Sequence, residues 1–527
     1  MVQLEIRKNA YYDSVTLMLI SKELKKVAGV TEALVGMGTD LNVEIAHNIG
    51  VATPEFDKQV TANDFFVAVE CKDEASFAAA MKKVEELLNK KTEAKASSYS
   101  PPTLEGALKI DPALNMAVIS VPGRHAADVA QGCLDHGVNV MLFSDNVTIE
   151  EERALKQFAY ERELLVMGPD CGTAIINNVP LAFANVVRAG DIGVVAASGT
   201  GTQEVTSLID QLGGGVSQVI GTGGRDLKKE IGGLMMKLGL DALKNDPKTK
   251  VIVLISKPPA KEIATEILNI AAKAGKPVVV SFIGGDRKEA EAFGLVAAVS
   301  LEDAAHKAVV LSKGAKPEDF TSFSMGQAKA EALAKEIAGK MAKGQKYIRG
   351  FYTGGTLCDE AMKLLIGSLG HIYSNIPLNA EDKLADAKGG KSREHTFLDF
   401  GDDEFTVGRP HPMIDPSLRA ERVITDGKDA ECAVILCDCV IGYGSHPNPA
   451  EDLALSIKAA KAEAAAAGRH LCCVCAVCGT QGDPQSLTRT QQQLEEAGAV
   501  VLPSNAQAAR FALLVLANLR QEGPDHE

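Results

Sequence analysis

The chain has 527 residues, of which 46% are hydrophobic and 24% charged, and its formal net charge is −14 at pH 7. One hydrophobic core cannot serve that length, so three or four domains are expected. The acidic charge argues against a nucleic-acid partner, which would need a basic face. No apolar run reaches the roughly 20 residues of a membrane span, and the first residues lack the apolar core of a signal peptide; we expect a cytoplasmic protein that does not enter a membrane.

Residues 1–95 have the pattern of a small α+β module, for which we predict a ferredoxin-like βαββαβ arrangement. Its predicted elements are strands at Leu4–Lys8, Glu32–Met37 and Phe65–Cys71 and helices at Ser14–Val27 and Glu74–Asn89. The polar stretch that follows ends in two prolines, and residues 96–109 are predicted to be a linker. Docking of a partner or sensing of an effector is the only role we can suggest for this module.

From residue 110 onward, short apolar strands alternate with helices, as in parallel α/β domains. Residues 110–185 are predicted to form a compact Rossmann-like domain. Its predicted elements are strands at Met116–Val121, Val138–Phe143 and Leu164–Met167 and helices at Ala126–His136 and Ile149–Arg162. The turn after the first strand contains one glycine, Gly123, where a dinucleotide fingerprint has three, so NAD binding is not expected.

Two further α/β series follow, at residues 186–320 and 346–515, joined by a connecting helix within residues 321–345. In the first series we predict strands at Asp191–Ala196, Gly215–Ile220, Val251–Ser256 and Val278–Phe282 and helices from Thr202, at Leu227–Leu238 and at Lys261–Ala274. In the second we predict strands at Cys432–Cys437, Leu471–Val477 and Ala499–Leu502 and helices at Ala450–Ala467 and from Ser486.

Each of these two series opens with an apolar run, a Gly/Thr-rich turn and a helix. The turns are Ser198-Gly199-Thr200-Gly201-Thr202 and Thr353-Gly354-Gly355-Thr356. A helix's first backbone N–H groups lack partners within the helix, and the helix dipole adds partial positive charge there. Either turn alone could be a simple helix cap. The two together predict a pair of phosphate-binding turns that face one another across one anionic group.

Cysteines cluster in the last series, at Cys472-Cys473-Val-Cys475-Ala-Val-Cys478 and at Cys437-Asp-Cys439. The first group lies within an apolar strand, where side chains alternate between the two faces. Its sulfurs would therefore not converge on one ion, and we predict no metal site.

Three segments resemble, in order, segments of the succinyl-CoA synthetase α subunit: Gly168-Pro-Asp-Cys-Gly172, Ser198-Gly-Thr-Gly-Thr-Gln-Glu204 and Gly221-Thr-Gly-Gly-Arg-Asp226. Residues 345–515 resemble the flavodoxin-like C-terminal domain of that enzyme's β subunit. A fused chain of this kind with a small N-terminal module is similar to the FdrA family. The resemblance implies an α/β fold with a Rossmann-like CoA-binding-type domain at 110–185, two flavodoxin-like succinyl-CoA-synthetase-type domains and the N-terminal α+β module.

Two departures limit what the synthetase resemblance implies. The synthetase α subunit carries a phosphorylated histidine, but the corresponding stretch here, Ile283 to Ala297, contains no histidine. The synthetase β subunit also supplies a large ATP-grasp domain, for which this chain has no room. The chain alone is therefore not expected to make acyl-CoA from ATP.

The FdrA resemblance implies instead a subunit of an oxamate carbamoyltransferase. In that reaction carbamoyl phosphate and oxamate exchange with oxalurate and phosphate during anaerobic allantoin breakdown. The Gly/Thr turns would then hold the phosphate, through the N–H groups of Gly199–Gln203 and Gly354–Leu357 and the hydroxyls of Thr200, Thr202, Thr353 and Thr356. Arg225 and Arg409 are candidates to clamp the acceptor's carboxylate, and His411 is a candidate proton shuttle.

Two alternatives stay open. The chain could be an acyl-CoA synthetase component whose ATP-grasp half is a separate chain, or a non-catalytic regulator that senses an acyl phosphate or CoA. No cofactor is required by the residues, although CoA binding stays open. The family resemblance implies separately encoded partner subunits and a homo- or hetero-oligomer, with a small acyl phosphate and a carboxylate as ligands.

Overall fold

The computed structural model describes residues 1–8, 10, 12, 14–62, 64–94, 101, 103–406 and 409–521. The chain divides into two compact units, Met1–Ile110 with Thr406–Pro410, and Asp111–Phe405 with His411–Glu527. Among the described residues, no helix combines the length and apolar character that crossing a membrane requires.

The N-terminal unit is built on a three-stranded antiparallel sheet of order β1-β3-β2. Side chains of the central strand alternate between two clusters: Phe65 packs with helices α1 and α4, and Phe66 packs with Phe56 of α3. The elements are β1 (Val2–Arg7), α1 (Ser14–Leu24), β2 (Val30–Met37), α2 (Asp40–Asn48), α3 (Pro54–Gln59), β3 (Phe65–Cys71), α4 (Glu74–Ala94) and α5 (Leu104–Ile110).

Two features of this unit differ from the sequence expectation. Helices α2 and α3 occupy the stretch between β2 and β3, and α3 begins with Thr53 as a cap that accepts a hydrogen bond from the Phe56 N–H and with Pro54 in its first turn. The predicted linker ends in helix α5, and α4 continues to Ala94. The rest of that linker lies mostly outside the described residues.

The second unit begins with a three-stranded parallel sheet of order β4-β5-β6. Helix α7 starts with a capping box in which Thr148 and Glu151 each bind the other's backbone N–H. The elements are β4 (Met116–Ile119), α6 (Gly123–Asp135), β5 (Asn139–Leu142), α7 (Ile149–Tyr160) and β6 (Val166–Met167).

A seven-stranded sheet of order β13-β12-β11-β9-β10-β7-β8 follows. Strands β13 to β10 run parallel, whereas the hairpin β7–β8 pairs antiparallel with β10. The elements are β7 (Thr173–Ile176), β8 (Val179–Ala182), β9 (Ala189–Ala197), α8 (Gly199–Gln211), β10 (Val216–Gly221), α9 (Leu234–Asn245), β11 (Val251–Ser256), α10 (Lys261–Ala271), β12 (Val278–Phe282), α11 (Arg287–Ala292), β13 (Val296–Ala297), α12 (Leu301–Ser312) and α13 (Gln327–Ala338).

The helix predicted at Leu227–Leu238 is wrong in its first half. Residues 227–233 form turns, and the helix begins at Leu234. Gly232 and Gly233 have φ values of 79° and 68°, and this left-handed backbone cannot belong to a right-handed helix. The hairpin β7–β8 was also not predicted, because its short strands carry little apolar pattern.

The fourth sheet has six parallel strands in the order β15-β16-β14-β17-β18-β19. The elements are β14 (Tyr347–Tyr352), α14 (Gly355–Leu369), β15 (Tyr373–Ser374), β16 (Thr396–Asp399), α15 (Asp403–Thr406), α16 (Ser417–Gly427), β17 (Cys432–Val440), α17 (Pro449–Ala466), β18 (Cys472–Cys478), α18 (Leu487–Glu496), β19 (Val500–Leu502) and α19 (Asn505–Gln521). The predicted α/β class with parallel sheets is confirmed.

One hydrophobic core joins the seven-stranded and the six-stranded sheets. Helices α8 and α14 lie between them, with Val205 of α8 and Leu357 of α14 in the same buried cluster as residues of both sheets. Strand β9 runs directly into α8, and β14 runs directly into α14. Both sheets therefore present the carboxyl ends of their central strands, where parallel sheets bind ligands, to one shared region.

Candidate functional site

The two Gly/Thr turns lie in direct contact. The hydroxyls of Ser198 and Thr356 share a hydrogen bond of 2.8 Å. A Cβ atom at Gly354 would lie 2.8 Å from the Cβ of Thr200, and one at Gly201 would lie 2.8 Å from the Cγ2 of Thr356. The turns thus face one another in direct contact, and glycine is needed at both points of closest approach; that they bind one anionic group stays a prediction.

In the first turn, several predicted donors are used by the turn itself. Ser198 caps helix α8 and accepts a hydrogen bond of 3.1 Å from the Gly201 N–H. Thr202 is buried, and its hydroxyl donates to the carbonyl of Ser198. The prediction that the Thr202 hydroxyl binds phosphate is therefore not supported. The N–H groups of Gly199 and Thr200 are those that the helix leaves without an internal partner.

In the second turn, a carboxylate of the chain takes the place predicted for a phosphate. Asp438 accepts hydrogen bonds from the Thr353 N–H at 2.9 Å, the Thr353 hydroxyl at 3.1 Å and the Gly354 N–H at 2.8 Å. The predicted phosphate contacts of Thr353 and Gly354 are thus corrected, because a fully buried anion already satisfies these donors. Since α14 makes its first backbone hydrogen bond at Cys358, the N–H groups of Gly355, Thr356 and Leu357 stay available.

A lysine and an aspartate reach the start of helix α14 at Gly355. Lys257 directly follows strand β11, and Asp399 is the last residue of β16. A Cβ atom at Gly355 would lie 2.3 Å from Asp399 Oδ2 and 3.0 Å from Lys257 Nζ. Asp359 stands one turn further along α14, with its Oδ2 3.9 Å from Lys257 Nζ. The available N–H groups of α14 therefore have one cation and two carboxylates beside them.

The charges at this point are strongly coupled. Desolvation raises the pKa of Asp399 to about 7, and Lys257 acts against that shift. Desolvation lowers the pKa of Lys257, but the neighbouring carboxylates, Asp359 first, outweigh it and hold that pKa above its ordinary value. At neutral pH the lysine is charged, whereas the buried aspartate lies near its midpoint.

A very small cavity of about 10 Å³ adjoins the first turn. Its walls are the loop Asp170–Thr173, the turn residues Ser198 and Gly199, and the glycines that follow β10. Asp170 is exposed to solvent yet crowded by the cavity walls, and desolvation raises its pKa to about 6 with Lys257 opposing. The three segments that resemble the synthetase α subunit therefore meet around one cavity.

Of the predicted clamp residues, Arg225 already has partners in the chain. Its Nε lies 2.8 Å from Glu152 Oε2, and its Nη2 donates to the carbonyl of Val147 at 2.8 Å. Its Nε would have to leave a fully buried glutamate if it were to bind a substrate carboxylate, and its role as a clamp stays a prediction. Arg409 is exposed and belongs to the segment grouped with the N-terminal unit, and its role stays a prediction.

His411 lies next to Asp399, on the other side of Gly401. A Cβ atom at Gly401 would lie 2.8 Å from His411 Nε2 and 3.2 Å from Asp399 Oδ1. The Nδ1 atom accepts the Met413 N–H at 3.2 Å, which places the ring proton on Nε2. Desolvation lowers the pKa of His411 to about 4, so the ring is neutral at pH 7. Nε2 is therefore a hydrogen-bond donor in this structure, and the role of proton shuttle stays a prediction.

The loop that replaces the synthetase's phosphohistidine loop lies beside helix α14. A Cβ atom at Gly284 would lie 2.9 Å from the Cε of Lys363, which is on that helix. The stretch Ile283–Ala297 brings no imidazole to this place. Elsewhere in the described ranges, no cluster of three or more His, Cys, Asp or Glu side chains has a metal-binding arrangement.

Family models match three parts of the chain. A model described as AllF, heavy metal-associated domain, matches residues 1–102, one described as CoA binding domain matches 187–284, and one described as CoA-ligase matches 351–515. The CoA-binding match thus falls on the seven-stranded sheet, one domain further along the chain than the region that we predict to be of CoA-binding type.

The curated relatives are consistent with this set of domains. The uncharacterized protein YahF of Escherichia coli K12 is 45% identical over 511 residues, which are 97% of this chain and 98% of YahF. The sulfoacetate-CoA ligase subunit SqwL of an Acholeplasma species is 29% identical over 33% of this chain and 59% of its own. The succinate-CoA ligase subunit alpha 2 of Archaeoglobus fulgidus is 28% identical over 31% of this chain and 57% of its own.

The full-length match to YahF and the order of the three domain matches determine the family. The chain belongs to the FdrA/AllF-like family of fused proteins of the succinyl-CoA synthetase type, an enzyme-like branch of the CoA-ligase superfamily.

Proposed function

We propose that this chain is an acyl-transferring subunit of the CoA-ligase type that binds an acyl phosphate where helices α8 and α14 meet. The single observation that carries the proposal is the contact between Ser198 and Thr356, which brings two helix N-termini together beside the charged Lys257. Two helix dipoles and a lysine favour a phosphate dianion at this point.

The absent histidine favours a substrate phosphate over a phosphorylated side chain. The resemblance to the FdrA family implies carbamoyl phosphate as the donor and oxamate as the acceptor. In that reaction the oxamate amide nitrogen attacks the carbamoyl carbon, and the bond from that carbon to the phosphate oxygen breaks. The electron pair and the amide proton leave with the phosphate, giving oxalurate and hydrogen phosphate. Positioning and neutralising the phosphate are the contributions that the site can make.

An acyl-CoA ligase reaction is the second candidate. The CoA-ligase and CoA-binding matches and the CoA-ligase relatives favour it. In that case the thiol of CoA attacks the acyl phosphate carbon and phosphate again leaves. The two candidates share the phosphate site and differ in the group that accepts the acyl unit.

The test begins with binding of inorganic phosphate to the purified full chain, measured by calorimetry. We expect Lys257→Met to weaken this binding about tenfold, whereas Lys458→Met, a change at an exposed lysine on helix α17, leaves it unaltered. Phosphate release is then measured with carbamoyl phosphate and oxamate, or with acetyl phosphate and CoA, with and without the partner subunits. Absence of phosphate binding, or equal binding by the Lys257 variant, would contradict the proposed site.

A further inference from the structure

At the proposed phosphate site, one carboxylate oxygen of a buried aspartate has no hydrogen-bond partner among the described residues. Asp399 is 4% exposed, and its Oδ1 accepts the Gly401 N–H at 2.8 Å. For its Oδ2, which points to Gly355, the described part of the chain supplies no hydrogen bond. The rest of the side chain is buried, so this oxygen is an acceptor that faces the site and that a donor group of a ligand can bind.

The backbone holds Asp399 rigidly. Its N–H donates to Asn375 Oδ1 at 3.0 Å, and its carbonyl accepts from Asn375 Nδ2 at 2.9 Å. Asn375 is itself buried. The fixed backbone and the hydrogen bond from the Gly401 N–H to Oδ1 together direct Oδ2 at the first residue of helix α14. Such fixed acceptors give specificity because they penalise a ligand that brings no donor.

The groups around Oδ2 fall into two sets, one suited to the phosphate of an acyl phosphate and one suited to its acyl group. Lys257 and the helix N–H groups attract the phosphate, whereas Asp399 repels a second anion and accepts a donor. The Nε2–H of His411, on the other side of Gly401, offers a donor to a carbonyl oxygen. An acyl group with both a carbonyl oxygen and an N–H fits this surrounding, whereas a methyl or an alkyl carboxylate group does not.

We propose that Asp399 determines the specificity of the site by accepting a hydrogen bond from the N–H of the transferred group, so that carbamoyl phosphate is selected over alkyl acyl phosphates. This inference rests on the proposed function and adds the residue that selects the acyl group. The ionised carboxylate accepts through both oxygens, so Oδ2 can bind this N–H while Oδ1 keeps the Gly401 N–H.

Asp399→Asn tests this assignment with little change in shape. The amide oxygen can keep the Gly401 N–H, while the amide nitrogen places donors where Oδ2 accepted. The affinities of the full chain for carbamoyl phosphate and acetyl phosphate, which differ by an amino against a methyl group, are measured by calorimetry. We expect the wild-type chain to prefer carbamoyl phosphate. The variant should lose at least about tenfold in carbamoyl phosphate affinity and change within about threefold for acetyl phosphate.

Asp241→Asn, the same chemical change at an exposed helix position, is the matched control and should leave both affinities unaltered. Equal loss for both donors would overturn the inference, because it would assign Asp399 to charge balance or folding. An unchanged preference in the variant would overturn it too. A wild-type chain that binds both donors equally would refute the inference while the proposed phosphate site stands. A chain that binds neither donor would refute both.

Discussion

Glu360 of helix α14 accepts a hydrogen bond of 2.6 Å from the backbone N–H of Leu301, the first residue of helix α12 in the preceding domain. The relationship is reciprocal, since Glu204 of α8 accepts a hydrogen bond of 3.0 Å from the N–H of Asn505, the first residue of α19 in the following domain. Each helix after a Gly/Thr turn thus caps the last helix of the other domain. This exchange fixes the two turns relative to one another.

Burial of these glutamates predicts a particular dependence of stability on pH. Desolvation raises the pKa of Glu204 to about 8 and that of Glu360 to about 7. Because an unfolded glutamate titrates near 4.3, the folded chain binds more protons between about pH 4.5 and 8, and stability falls as pH rises through that window. Glutamine stays neutral, so the free energy of unfolding of Glu204→Gln should fall less between pH 5 and pH 8. At pH 8 it should be higher than that of the wild-type chain by on the order of 1–3 kcal/mol.

Urea unfolding at pH 5, 6.5 and 8 measures this effect. Glu495→Gln, a change at an exposed glutamate of α18, serves as the control and should follow the wild-type chain. A Glu204→Gln curve parallel to the wild-type curve would show that the carboxyl group is already ionised throughout the window.

Two glycines of helix α14 should respond in opposite ways to the same substitution. At Gly355 an added Cβ would lie 2.3 Å from Asp399 Oδ2, so Gly355→Ala must shift the Asp399 carboxylate or the start of helix α14. At Gly367 an added Cβ has no neighbour within 4 Å. We expect Gly367→Ala to stabilise the chain by about 0.5–1 kcal/mol, since alanine favours a helix interior. Gly355→Ala should weaken phosphate binding by at least about tenfold.

Calorimetric titration with phosphate and thermal unfolding of both variants make the comparison. Because Gly367→Ala keeps the helix, loss of binding only in the Gly355 variant would localise the effect to the N-terminus of α14. Full binding by Gly355→Ala would place the phosphate elsewhere.

The sequence predicts the fold well where the hydrophobic pattern is strong. Strands Phe65–Cys71, Val251–Ser256 and Val278–Phe282 have the predicted bounds, because each is a short apolar run between polar turns. The start of α9 and the hairpin β7–β8 were missed. Their positions depend on left-handed glycines and on pairing with a distant strand, which local periodicity does not report.

At the site, the sequence predicts the two turns but not the groups around them. Lys257, Asp399 and Asp438 are single polar residues at or near the carboxyl ends of buried strands. That location was an available signal, because ligands bind at this edge of parallel sheets. These three residues lie far apart in the chain, so the sequence alone does not show that they come together at Gly354 and Gly355. A sequence motif also could not show that the Thr353 N–H and hydroxyl donate hydrogen bonds to the Asp438 carboxylate.

His411 should remain neutral across the physiological range. Desolvation lowers its pKa to about 4, since the charged ring would be buried without a carboxylate bonded to it. In an NMR titration of the full chain, the resonances assigned to this ring through a His411→Gln variant should stay constant from pH 5.5 to 8 and should report a proton on Nε2. A midpoint near 6.5 would support the proton-shuttle role, and the exposed His47 provides an internal comparison.

Arg419 and Asp438 form a buried ion pair that should dominate the stability of the last domain. Arg419 is 2% exposed, and its Nη1 donates to the carbonyl oxygen of Asp438 at 2.7 Å and to its Oδ1 at 2.9 Å. Removing one partner leaves the other charged and buried, so Asp438→Ala and Arg419→Met should each destabilise that domain by about 3–5 kcal/mol. The double variant should lose less than the sum of the two single losses, because it leaves no unpaired charge.

Denaturant unfolding of the wild-type chain and the three variants completes the double-mutant cycle. Arg469→Met, at a half-buried arginine of the same domain whose guanidinium binds backbone carbonyls, is the control and should cost much less. Strictly additive losses would mean that the two side chains act independently. In that case Asp438 would hold the second turn through the N–H groups of Thr353 and Gly354 alone, without help from Arg419.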